Sequence, residues 1–133
     1  MMKHILVVDD EAPIRLLLQK ILESAGYRVT GAADGMSALK AAREDPPDLA
    51  ISDLSMPGMD GFSVCSMLKR NKVFRAPVLV LSGRVAEKDI KAALKTGADA
   101  FIPKPVEREK LLAMVAEWLV EGEKRAAEGD AAS

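Results

Sequence analysis

Three short stretches, Ile5–Val8, Leu49–Ser52 and Val78–Leu81, are almost continuously apolar and show no alternation of polar and apolar residues. A strand with one wet face alternates, whereas a strand covered on both faces of a parallel sheet reads as an unbroken apolar run. Two weaker candidates, Arg28–Ala32 and Ala100–Pro103, bring the set to five, and the polar character of Arg28–Ala32 puts it at an edge. Helix-like segments follow each strand. The pattern therefore predicts an α/β fold with parallel strands, right-handed crossovers and helices on both faces.

The helices are read from their period. Ile14, Leu17, Leu18, Ile21, Leu22 and Ala25 recur at the spacing of one helical face, with Pro13 near the start and Gly26 just past the end. Asp34 is placed to cap a second helix carrying Ala38, Leu39 and Ala42, which Pro46-Pro47 stops. A third helix after Gly61 buries Val64, Cys65 and Leu68, and a fourth carries Ala86, Ile90, Ala93 and Leu94 and ends at Gly97. The fifth buries Leu111, Leu112, Val115 and Leu119, with Glu107 as its nearest capping residue. After Glu121 the apolar period is lost, so the expectation is one domain over residues 1–121, with a frayed helix end and a loose tail over 122–133.

Composition narrows the function classes. Nineteen basic residues against twenty acidic ones leave a net charge of -1, without the basic excess that nucleic-acid binding calls for. No apolar run approaches the roughly 18 residues of a membrane span. Asp9-Asp10 interrupts the N-terminal apolar run where a signal peptide would continue, and the single Cys65 can form no internal disulfide. A cytoplasmic protein with no direct nucleic-acid contact and no membrane span is the expectation.

In an open parallel sheet, ligands bind beyond the carboxyl ends of the strands. Asp9, Asp10 and Glu11 follow the first run, Asp53 the third, Ser82 and Gly83 the fourth, and Lys104 and Pro105 the fifth. Each has an ordinary explanation when taken alone. An Asp after a strand caps a helix or a turn, a Ser-Gly pair makes a loop, and a lysine is a solvated charge. Their convergence from four strands on one edge is what points to chemistry. Clustered carboxylates repel one another, and a hard divalent cation such as magnesium relieves that repulsion. With a lysine and a hydroxyl added, the set suits a tetrahedral oxyanion, and a carboxylate can itself attack phosphorus. By contrast, Cys65 and Trp118 are read as packing residues, and His4 has no His or Cys neighbours at metal-ligand spacing.

These residues resemble the receiver domain of bacterial response regulators over about residues 3–121. The resemblance rests on Ile-Leu-Val-Val-Asp9-Asp10-Glu11, on Asp53-Leu-Ser-Met-Pro57-Gly58-Met-Asp60-Gly61, on Ser82-Gly83 and on Phe101-Ile-Pro-Lys104-Pro105. It implies a doubly wound, flavodoxin-like (βα)5 three-layer sandwich with a five-stranded parallel sheet in the order 2-1-3-4-5, an order associated with chemotaxis receivers. It also implies that Asp53 accepts a phosphoryl group from a phosphohistidine on a sensor kinase or phosphotransfer protein. Magnesium, replaceable by manganese, would be held by Asp10, by Asp9 mainly through water, by Asp53 and by the Ser55 carbonyl. Lys104 would pair with Asp53 or the phosphoryl group. Ser82 and Phe101 would form the switch, with Phe101 standing where tyrosine is common. Ser55 and Arg84 occupy positions that tune dephosphorylation, and the Lys104-Pro105 bond is expected to be cis. An output partner would read the face built from the fourth helix, fifth strand and fifth helix.

On this reading the chain is a phosphoacceptor and not an enzyme. Two alternatives stay open at the level of sequence. An aspartyl-phosphate phosphatase of the haloacid dehalogenase type would place Asp-x-Asp after the first strand, where this chain has Asp9-Asp10-Glu11. An unphosphorylated pseudo-receiver would usually lack part of the acidic set, all of which is present here. The cognate kinase and the target are not written in the sequence.

Overall fold

The structure, a computed structural model, describes residues 2–53, 76–82 and 98–132, with the backbone alone at Ser82 and 128–132. Five strands form one sheet: β1 (His4–Val8), β2 (Arg28–Ala32), β3 (Leu49–Asp53), β4 (Val78–Ser82) and β5 (Ala100–Pro103). Their order is β2-β1-β3-β4-β5 and every neighbouring pair is parallel, as the resemblance implied. The described helices are α1 (Ala12–Ser24), α2 (Gly35–Glu44) and α3 (Arg108–Ala132), the last being the fifth helix of the sequence reading. The third and fourth expected helices, with Cys65, lie outside the described residues.

The unbroken apolar runs are explained by a core on each side of the sheet. Leu6, Val8, Ala50 and Val80 pack with Ala38, Leu39 and Ala42 of α2. Their neighbours Ile5, Val7, Ile51 and Leu81 point the other way, to Leu18 and Leu22 of α1 and Leu111 and Val115 of α3. Successive side chains of a strand alternate between faces, so a strand covered twice must be apolar at every position. β2 has one sheet neighbour and is largely open to solvent, in keeping with its polar sequence.

Helix α2 begins as expected, with the Asp34 carboxylate accepting a hydrogen bond from the Ser37 N–H at 2.7 Å. In α1 the buried stripe is narrower than the spacing suggested. Leu18, Ile21 and Leu22 are buried, but Leu17, like Leu16, is exposed, and Ala25 serves as the exposed C-cap. Leu17 lies at the margin of the stripe, on the side of the helix away from Arg15 and Gln19, the residues that pass over β2. Gly26 then takes φ 95°, the left-handed conformation that ends a helix with least strain on glycine.

The last helix does not end near Glu121 but runs on to Ala132. Its extension is held by specific contacts in place of an apolar stripe. Gly122 passes so close to Pro77 that a Cβ there would lie 2.9 Å from the proline Cδ. Glu123 pairs with Lys3 at 2.7 Å, and Arg125 pairs with Asp99 at 2.6 Å while its guanidinium lies 5.3 Å from the centre of the Trp118 ring. Among the described residues no helix is long and apolar enough to cross a membrane.

Candidate functional site

Parallel register carries the polar strand ends to one place. Val8 is level with Ser52, Asp53 with Leu81, and Ser82 with Pro103. Asp9, one residue past β1, therefore stands beside Asp53 at the end of β3, and Lys104, one residue past β5, reaches in from the other side. The Lys104 ammonium lies 3.2 Å from Asp53 Oδ1. Asp9 and Asp53 are buried, whereas Asp10 is exposed. Carboxylate oxygens of Asp9, Asp10 and Asp53 come within 4.8 Å of one another.

Asp9 is fixed at three atoms. Its N–H donates to the Ala32 carbonyl at 3.0 Å, its carbonyl accepts from Arg15 Nη1 at 2.7 Å, and its Oδ1 accepts from the Glu11 N–H at 2.9 Å. Its Oδ2 is buried and has no hydrogen-bond partner among the described residues. Burial above all raises the Asp9 carboxyl above the ordinary carboxylate range. The Glu11 N–H opposes that shift, Asp53 adds to it, Lys104 opposes it, and Asp10 adds to it least. A buried carboxylate oxygen without a donor is costly, and a nearby anion makes it more so. Asp9, Asp10 and Asp53 each bring a carboxylate oxygen within 4.8 Å of the others, the donor set a hard divalent cation prefers. The residues fit such an ion.

Phe101 is half-buried on β5, level with Val80, and the Lys104-Pro105 peptide is cis. The Ser82 hydroxyl, Ser55 and Arg84 lie outside the described residues. His4 is buried with its Nε2 2.7 Å from the Thr30 hydroxyl, a contact within the sheet and remote from the acidic edge. Arg15 and Gly31 were not singled out by sequence reasoning. Gly31, a glycine inside a strand, was the available signal, because such a glycine marks a close approach by another group.

Comparison with known proteins agrees with this geometry. The family model for the response regulator receiver domain matches residues 5–116. The chain is 43% identical over 115 residues to the alkaline phosphatase synthesis transcriptional regulatory protein PhoP of Bacillus subtilis, covering 86% of this chain and 48% of PhoP. It is 37% identical over 115 residues to the DNA-binding response regulator MtrA of Mycobacterium tuberculosis, covering 86% of this chain and 50% of MtrA. The chain thus spans about half the length of these curated relatives. The structure of chemotaxis protein CheY4 from Vibrio cholerae superposes with a TM-score of 0.86 at 32% identity, covering 89% of this chain and 99% of that one. With the family's sheet order, its acidic strand ends and a family match across most of its length, this chain belongs to the response regulator receiver domains of two-component signalling.

Proposed function

We propose that Asp53 is the phosphoacceptor, and that it takes its phosphoryl group from a phosphohistidine of a sensor histidine kinase or histidine phosphotransfer protein. The observation that carries this is the gathering of three carboxylates within 4.8 Å, with Lys104 on Asp53 Oδ1. A carboxylate oxygen of Asp53 attacks phosphorus, the P–N bond to the donor imidazole breaks, and the departing imidazole nitrogen keeps the electron pair and takes up a proton. Lys104 holds the Asp53 carboxylate in place and offers positive charge to the phosphoryl oxygens. Asp9, Asp10, Asp53 and the Ser55 carbonyl are the proposed ligands of Mg2+, or of Mn2+ in its place. When bound, the cation neutralises charge shared by the carboxylates and the phosphoryl oxygens.

The chain on this reading is a carrier of the phosphoryl group and not a turnover enzyme. Ser82 and Phe101 are the proposed reporters of Asp53 phosphorylation to an output partner on the face that includes β5 and α3. The first 121 residues suffice for phosphoryl acceptance on this reading. The relatives named as transcriptional or DNA-binding regulators are about twice as long, and for this segment a net charge of -1 favours a protein partner over nucleic acid. The proposed compartment is the cytoplasm, where the kinase's phosphohistidine is formed from ATP.

The test is intact-mass analysis after treatment with acetyl phosphate, with Mg2+ or with chelator. Wild type should gain one phosphoryl group only with the cation, and Asp53→Ala should gain none. Equal labelling of both proteins would refute the assignment, and steady turnover of a generic phosphomonoester would indicate a phosphatase. A beryllofluoride mimic of the phosphoryl group should shift amide resonances of 98–121 in wild type and do so weakly in Ser82→Ala.

A further inference from the structure

We infer that Arg15, seated over Gly31, is a positioning residue that sets the divalent-cation affinity of the acidic site by holding the Asp9–Asp10 peptide. The inference rests on the cation reading proposed above. Arg15 Nη1 donates to the Asp9 carbonyl at 2.7 Å. That carbonyl belongs to the peptide plane leading into Asp10. Asp9 has two other anchors, at Ala32 and Glu11, but Asp10 is exposed and its carboxylate has no hydrogen bond or ion pair among the described residues. The direction of the Asp10 side chain therefore depends on the peptide that Arg15 clamps. A charged donor on a carbonyl is a strong fixture, and groups behind metal ligands commonly govern affinity.

Gly31 makes this reach possible. A Cβ at position 31 would lie 3.2 Å from Arg15 Cδ, 3.4 Å from Arg15 Cγ and 3.1 Å from Gln19 Oε1. Two of these are middle atoms of the arginine chain, so a Cβ alone would push the arm by a few tenths of an ångström, and the added methyls of a valine would push it further from its seat. Gly31 is an exposed position in an edge strand, and its φ is not positive, so the backbone does not itself require glycine there. Strand propensity favours almost any other residue. The space under Arg15 is what the glycine supplies.

Two effects of Arg15 on a cation have opposite signs, and that makes the inference testable. Its positive charge repels a cation, so removing Arg15 on electrostatic grounds alone should tighten binding. Its clamp orders the ligands, so removing it on positional grounds should weaken binding. Gly31→Val dislodges the arm and leaves the charge in the protein.

The measurement is calorimetric titration of Mg2+ into the full chain, with thermal melts in EDTA and amide shifts of Asp10 and Glu11 as companions. Arg15→Ala and Gly31→Val should each weaken Mg2+ binding by on the order of tenfold, and Arg15→Lys should recover part of the loss. Gly31→Val should melt in EDTA no lower than wild type, which separates affinity from stability. Wild-type or tighter affinity in Arg15→Ala overturns the inference while leaving the cation site intact. Should Arg15→Ala fail to fold, unchanged affinity in both Gly31→Val and Arg15→Lys overturns it equally. If wild type itself takes up no Mg2+, the cation reading and this inference fall together.

Discussion

Replacing Asp9 by asparagine should make the metal-free protein more stable, although it removes a residue from the proposed centre. Asp9 is wholly inaccessible, and its Oδ2 has no partner among the described residues. Asparagine keeps the oxygen that accepts from the Glu11 N–H at 2.9 Å and removes the buried charge. Leaving a buried polar group unsatisfied costs about 1–3 kcal/mol, and more when it is charged. Repulsion from Asp53 and attraction to Lys104 partly offset one another, so burial sets the scale. Because Asp10, the next residue, is exposed to water, the lower half of that range applies, about 1–2 kcal/mol. For a domain of this size the gain amounts to roughly 4–10 °C in Tm. Differential scanning calorimetry in EDTA at pH 7 reads it directly. Added Mg2+ should then close the gap. At about one hundred times its Kd, Mg2+ contributes about 2.7 kcal/mol to wild type, and about 1.4 kcal/mol to a variant that binds tenfold more weakly. A variant less stable than wild type in EDTA would show that Asp9 is satisfied in the folded state, and the argument from its bare oxygen would fail.

Three other perturbations have defined signs. Lys104→Met removes the ammonium 3.2 Å from buried Asp53; it should lower metal-free stability by about 1–2 kcal/mol, less than for a fully buried pair because Lys104 is partly exposed, and slow acetyl phosphate labelling in the mass assay. Gly122→Ala would raise helix propensity by about 1 kcal/mol at an ordinary position, but the new Cβ would lie 2.9 Å from Pro77 Cδ; chemical denaturation should show a net loss in place of that gain. Asp34→Ala should destabilise the protein at pH 7. The Ser37 N–H holds the Asp34 carboxyl below its unfolded value of 3.8, so the stabilisation is full above that value and is lost as pH falls through the lower folded value; urea melts of the two proteins should converge in that acidic window.

The parts of the fold that were legible in the sequence are those that depend on local pattern. Ile5–Val8 could be read as a doubly covered strand because the two cores each claim alternate residues of it. The convergence of Asp9, Asp53 and Lys104 was legible because parallel register makes every strand end at the same edge. What escaped notice depends on long side chains meeting far along the chain. The path of Arg15 over Gly31 to the Asp9 carbonyl leaves only one trace, a glycine inside a strand. The continuation of α3 beyond Glu121 has no apolar period to announce it, since Lys3, Asp99 and Pro77 hold it from distant segments. Leu17 fitted the helical stripe, yet a stripe marks only which residues can be buried. How far cover extends is set by the neighbouring elements, which the period of one helix does not reveal.

The aspartates at the two ends of the sheet show why residue type alone does not mark a site. At the amino end, Asp48 accepts the His4 N–H at 2.8 Å and donates its own N–H back to the His4 carbonyl at 2.7 Å. Asp99 repeats the arrangement on β4, accepting from the Val78 N–H at 2.8 Å and donating to the Val78 carbonyl at 2.8 Å, with Arg125 on its other oxygen. These carboxylates terminate strands whose first amides would otherwise lack partners, and that use of Asp is structural. Asp9 makes the same kind of local bond with one oxygen, to the Glu11 N–H, but its other oxygen is buried without a hydrogen-bond partner among the described residues, and its carboxylate clusters with those of Asp10 and Asp53. An acid that only shaped the chain would gain nothing from that clustering and would carry its burial as a pure loss. The loss is tolerated because the sheet beneath is covered on both faces, and β1 and β3 are buried along their full lengths. A rigid core can hold like charges together against their repulsion, and a cluster held in that way is ready to bind a cation without first paying to assemble.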